Sequence, residues 1–97
     1  MLRHIVMIKI KKKQDNQVVT EKLRIMLQGL EQSIKWLCKI EVGINISTKA
    51  SAYDVVLTAD FDDVAGLDEY RVHPEHVKVL DYLKIVMDKA TVVDYYN

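Results

Sequence analysis

One cysteine, one proline and three glycines are all that this chain of 97 residues holds of the residues that staple, kink or loosen a backbone. With Cys38 alone, no disulfide can close within the chain and no multi-thiolate metal cluster can be built, which suits a reducing compartment. So little glycine and proline leaves no room for a flexible or low-complexity segment. Net charge is missing too, since 14 Lys and Arg balance 14 Asp and Glu. That balance argues against a partner recognised by charge, whether a nucleic acid or an anionic membrane. No run approaches the ~20 apolar residues of a membrane span. Arg3 and His4 interrupt the start of the chain before a signal-peptide core could form. The expectation is a folded cytoplasmic protein of one domain over residues 1–97, because a chain this short has no room for a second core.

What is present is periodicity, in a chain that is 49% hydrophobic and 29% charged. Residues 2–10 alternate, with Leu2, His4, Val6, Ile8 and Ile10 on one face and Arg3, Ile5, Met7 and Lys9 on the other, as a strand apolar on both sides requires. Lys11, Lys12, Lys13 and Gln14 end it, and Asp15 or Asn16 can cap a helix. Val19, Leu23, Met26, Leu27, Leu30, Ile34 and Leu37 recur at three and four, which predicts a helix over about 16–37. From Cys38 the period drops to two: Ile40, Val42, Ile44 and Ile46 oppose Lys39, Glu41, Gly43, Asn45 and Ser47 in a half-buried strand. A turn over 48–52 leads to a strand from Tyr53 to Phe61. Asp62 or Asp63 caps a short helix carrying Val64, Leu67 and Tyr70. Pro74, at home in a first turn, restarts a helix to about Ala90 with the stripe Val77, Leu80, Leu83, Val86 or Met87, and Ala90. Thr91 to Tyr96, β-branched and aromatic, closes the chain as a strand.

The order βαββαβ predicts an α+β, ferredoxin-like sandwich, its antiparallel sheet in the order 4-1-3-2 and both helices on one face. The face without helices then carries Ile5, Met7, Val56, Thr58, Val93 and Tyr95. Burying apolar area stabilises by about 25 cal/mol per Å², so this patch predicts a homodimer through the open sheet face. A merely mixed face is the alternative, since Lys9, Asp54 and Asp60 also lie on it.

The most distinctive local segment is Tyr70-Arg71-Val72-His73-Pro74-Glu75-His76. With Pro74 opening a helix, His76 falls in its first turn, where the positive end of the helix dipole favours neutral imidazole. Neutral imidazole can act as a general base or bind metal. His4 stands on the helix-facing side of the first strand, so His4, Tyr70, His73 and His76 can meet in one ligand pocket. Against this stands the plainer role of each histidine as a helix cap or a hydrogen-bonded core group. Two histidines three apart with no third ligand make a poor zinc site, and no metal or cofactor is expected. Glu75 complements the helix dipole, Cys38 reads as a buried inert thiol, and Trp36 reads as a packing residue. The basic run Lys9, Lys11, Lys12 and Lys13 is offset by Asp60, Asp62, Asp63, Asp68 and Glu69. The central strands also lack the aromatics on which this fold stacks RNA bases, so no nucleic acid is expected.

Those same segments resemble a known family. Arg3-His4-Ile5-Val6-Met7-Ile8-Lys9, Gly43 within Val42-Gly43-Ile44-Asn45, the strand from Tyr53 to Phe61, the Tyr70-to-His76 segment and the closing Asp94-Tyr95 are similar to the stress-responsive A/B barrel domain, Dabb. The resemblance spans nearly the whole chain and implies a dimeric α/β barrel in which two such sheets face each other. In a plant polyketide cyclase of that family a Tyr and a His close a ring by aldol chemistry. Their positions match Tyr70 and His76, and a further pocket histidine matches His4. Two other pocket positions depart, with Val55 where the cyclase has a histidine and Met26 where it has a tyrosine. Three functions follow as expectations. The first is a homodimer binding a small, largely apolar molecule without established catalysis. The second is a cofactor-independent cyclase, isomerase or lyase using Tyr70 and His76 as its acid/base pair. The third is a purely structural stress-related dimer.

Overall fold

A computed structural model describes residues 1–11 and 16–97. The expected cap at Asp15 and the basic residues Lys12 and Lys13 lie outside the described residues. Strand β1, Leu2–Ile10, turns Leu2, His4, Ile8 and Ile10 into the core. Helix α1, Asn16–Gln28, buries Val19, Thr20, Leu23 and Leu27 against it. The helix ends earlier than its apolar spacing predicts. Gly29 separates it from one further turn, α2, Leu30–Ser33, and Ile34 is already extended at φ −119°, ψ 108°. Leu30, Ile34 and Leu37 are nonetheless all buried. Spacings of three and four here mark residues that share a core, not an unbroken helix.

Leu37 opens strand β2, Leu37–Ile44, and a register shift between Leu37 and Lys39 leaves Cys38 unpaired on the surface. The expectation of a buried thiol is therefore wrong, because the bulge turns the side chain outward. Cys38 Sγ lies 3.6 Å from Asp62 Oδ1. Partial desolvation and that carboxylate raise the thiol's pKa, which keeps it protonated and unreactive. Trp36 is also exposed, with Lys35 Nζ 4.6 Å from its ring centroid.

Strand β3, Val55–Phe61, leads to α3, Val64–Val72, where Asp63 Oδ1 caps the helix by accepting from the Gly66 amide at 2.9 Å. Helix α4, Pro74–Val86, follows at once, with the proline in its first turn. It buries Val79, Leu83 and Val86, whereas Val77 and Leu80 of the expected stripe are partly exposed. The helix also stops four residues short of Ala90. Strand β4, Met87–Tyr96, takes those residues, pairing Met87 with Ile10, Lys89 with Lys9 and Ala90 with Ile8. Ladder hydrogen bonds along the whole of β1 override local helix propensity there. No helix among the described residues is long and apolar enough to cross a membrane.

The four strands form one antiparallel sheet in the order β2-β3-β1-β4. This is the ferredoxin-like arrangement read from the sequence. Register places Ile5 between Thr58 and Val93, and Met7 beside Val56, so the predicted open face does assemble on the side away from the helices. Gly43 pairs with Val56 on that face, where a Cβ would come within 3.0 Å of Val56 Cγ1, so glycine permits the close approach. The same face carries an ion pair: Arg3 Nε and Nη2 donate to Asp60 at 2.9 and 3.2 Å. The guanidinium holds the Asp60 carboxyl below its usual range.

Candidate functional site

Between the helix side of the sheet and α4 lies a cavity of about 540 Å³. The edge strand β4 is exposed from Asp88 onward, and its Met87 and Ala90 line the cavity together with residues of β1 and α4. Three elements bring polar groups to its wall. β1 supplies His4, the end of α3 supplies Tyr70, and the first turn of α4 supplies His76. The rest is mostly aliphatic, including Val6, Ile8, Leu57, Val79 and Leu83.

The aromatic groups form a packed chain. The Tyr70 and His76 ring centroids are 4.2 Å apart, those of Phe61 and Tyr70 5.1 Å, and those of His4 and Tyr70 6.4 Å. Tyr70 is 1% exposed, and its hydroxyl has no hydrogen-bond partner among the described residues. Burial pushes the phenol's pKa up, so it remains a protonated donor at neutral pH. His76 Nδ1 donates to the Arg71 carbonyl at 3.2 Å, which leaves the lone pair on Nε2. Burial lowers the His76 pKa, and the nearby His4, Arg71 and His73 lower it further, while the bond to the Arg71 carbonyl opposes them. Tyr70 and His76 thus offer a hydrogen-bond donor beside a neutral base.

His73, expected in the same pocket, does not line the cavity. It caps α4 instead, its Nδ1 accepting from the Glu75 amide at 3.1 Å. With Nδ1 accepting in the cap, the ring proton sits on Nε2. Asp94, by contrast, reaches the site from β4. Its Oδ1 accepts from His4 Nδ1 at 2.5 Å, and its Oδ2 lies 3.5 Å from Arg71 Nη2. The carboxylate fixes the imidazole so that Nε2 is the nitrogen left for a ligand. The signal for it was strand register: β1 and β4 are antiparallel, and His4 pairs with Asp94. Among the described residues no three metal-ligating side chains cluster.

The sequence pattern of the family described as Stress responsive A/B Barrel Domain matches residues 2–97. The chain belongs to that family. Among solved structures, this Dabb chain is similar to a dimeric protein of unknown function with a ferredoxin-like fold from Bacteroides fragilis. The two are 27% identical with a TM-score of 0.91, over 99% of this chain and 95% of that one. A dimeric ferredoxin-like protein of unknown function from Thermobifida fusca is 25% identical with a TM-score of 0.84, over 99% of this chain and 90% of that one. A hydroxynitrile lyase from Passiflora edulis, 17% identical with a TM-score of 0.84, covers 99% and 93% and is a likeness of fold alone. No curated protein matches the Dabb chain.

Proposed function

We propose that this Dabb protein binds a small, largely apolar molecule carrying a carbonyl or hydroxyl oxygen in the cavity between α4 and β1. The observation that carries this reading is Tyr70, a lining residue of a wall that is otherwise mostly aliphatic, whose buried hydroxyl has no hydrogen-bond partner among the described residues. A buried donor without a partner costs about 1–3 kcal/mol, and a ligand oxygen at that point would recover it. His4 Nε2, oriented by Asp94, and His76 Nε2 supply further polar contacts. Calorimetric titration with a ten-carbon methyl ketone tests the reading. Native protein should bind it and Tyr70→Phe should bind at least fivefold more weakly, whereas equal affinities would remove Tyr70 from the site.

A second reading rests on the pairing of Tyr70 with His76. With a ketone bound, His76 Nε2 takes a proton from the carbon next to the carbonyl, and the Tyr70 hydroxyl stabilises the enolate oxygen that forms. The phenol stays protonated and the imidazole neutral, as these roles demand. Proton exchange next to the carbonyl of the bound ketone in heavy water, followed by NMR, tests this directly. Exchange should exceed background in native protein and fall to background in His76→Ala; equal rates leave binding as the function.

The working unit in this proposal is a homodimer joined through Ile5, Met7, Val56, Thr58, Val93 and Tyr95. Its support is the apolar character of that face together with the dimeric state of the relatives from Bacteroides fragilis and Thermobifida fusca.

A further inference from the structure

Polar and apolar walls are segregated along the length of the cavity. Helix α4 runs in the same direction as β1. Its first turn brings His76 to Tyr70, and at its far end the Lys11 amide, just beyond β1, donates to the Val86 carbonyl at 2.9 Å. The spacing between the two ends can be taken from either element. From His76 to Lys84 the helix rises about 12 Å, and from His4 to Ile8 the strand rises about 13 Å. All four residues line the cavity. The wall between the ends is aliphatic, and at the far end, among the described residues, Lys84 lines the cavity beside Met87 and Ala90.

The two ends differ in what charge they accept. At the near end Arg71 is already engaged, its Nη1 donating to Asp68 at 3.1 Å and its Nη2 lying 3.5 Å from Asp94. The Asp94 carboxylate there repels an anion, and His76 is neutral. Lys84 is held only loosely, its Nζ 3.7 Å from Asp81 on the surface. A long, exposed pair of that kind contributes little and leaves the ammonium able to take a second carboxylate.

We propose, on the basis of the ligand-binding reading above, that the ligand is an elongated keto acid, its ketone oxygen at Tyr70 and His76 and its carboxylate at Lys84. An extended chain advances about 3.5 Å for every three bonds, so the span between the ends accommodates about ten bonds. The acid is read at the cavity rim and the ketone at its polar end, with the methylenes against Val6, Leu57 and Leu83.

Titration calorimetry with three probes and one variant tests the assignment. The probes are the ten-carbon acid bearing a ketone next to its terminal methyl, the methyl ester of that acid, and the six-carbon homologue of the acid. Lys84 is exposed, so Lys84→Met should fold, as a thermal melt would verify. Native protein should bind the long acid about three- to fivefold tighter than its ester, an advantage of rim-pair size that added salt reduces. Lys84→Met should lose that preference and bind acid and ester alike. The short acid, unable to reach both ends, should bind at least tenfold more weakly than the long one. Equal affinity of native protein for acid and ester, or an unchanged preference in Lys84→Met, would overturn the carboxylate assignment and leave the cavity as a ketone site. Failure of both acid and ester to bind would overturn the assignment and the ligand-binding reading together.

Discussion

A phenol whose hydroxyl is buried without a partner holds a polar group at the expense of stability, and evolution retains such a group where something else uses it. Tyr70→Phe is accordingly expected to leave the protein as stable as before or up to about 1 kcal/mol more so, because the ring packing survives and an unsatisfied donor disappears. Urea denaturation checks this, and a loss above about 1 kcal/mol would mean that the hydroxyl has a structural partner. His76 makes a prediction about pH. Its folded pKa lies below the ordinary 6.5, chiefly through burial, so as pH falls through 6.5 the unfolded chain takes up a proton before the folded one does. Stability contributed by the neutral ring is therefore complete above the unfolded pKa and is lost as pH falls toward the folded pKa, by at most about 1.4 kcal/mol per pH unit. The native protein should lose more stability over that interval than His76→Gln, and parallel curves would contradict the assignment. Tyr70 and His76 were legible in the sequence because one seven-residue segment holds both and a proline marks where the helix restarts. Asp94 was not legible as the partner of His4, since only pairing between the first and last strands brings them together.

At the scale of elements, the caps and breaks that position the site have separable contributions. Asp63 holds the start of the helix that delivers Tyr70, and Asp63→Ala should cost about 1 kcal/mol, read as a lower denaturation midpoint. An unchanged midpoint would mean that the Gly66 amide finds an equivalent partner. Periodicity located the four strands and three of the helices, but it ran α1 and α2 together and misjudged where several elements end. Leu37 continues the apolar spacing of α1, yet it is the first residue of β2, because a core position can be filled from either backbone geometry. The run from Met87 to Ala90 likewise follows a helical apolar pattern and becomes strand only because β1 offers it a full ladder. A local pattern cannot contain a competitor that lies eighty residues away. His73 belongs to the same scale: its role as the cap of α4 serves the element that carries His76, not the cavity itself.

For the whole molecule, the arrangement of the sheet was legible because βαββαβ order admits few topologies. The Arg3–Asp60 pair on the open face was not, since it joins two strands that the sequence separates by 57 positions. On the dimer proposal this face meets a second copy, and sedimentation at micromolar concentration should show a species of twice the 11.2 kDa chain mass. Val56→Glu, which places a charge at the centre of the apolar patch, should shift it to the single chain. A single-chain species in the native protein would contradict that assembly while leaving the cavity untouched, because the cavity lies on the opposite side of the sheet. The claim on which the functional account depends is that the cavity closes on its ligand at Tyr70. A crystal structure of the native protein with the ten-carbon methyl ketone tests it most directly. The account predicts the ketone oxygen within hydrogen-bond reach of the Tyr70 hydroxyl, about 2.5–3.0 Å, with the alkyl chain running along β1 toward Ile8. A ketone bound elsewhere, or lying in the cavity with its oxygen turned away from Tyr70, would contradict it.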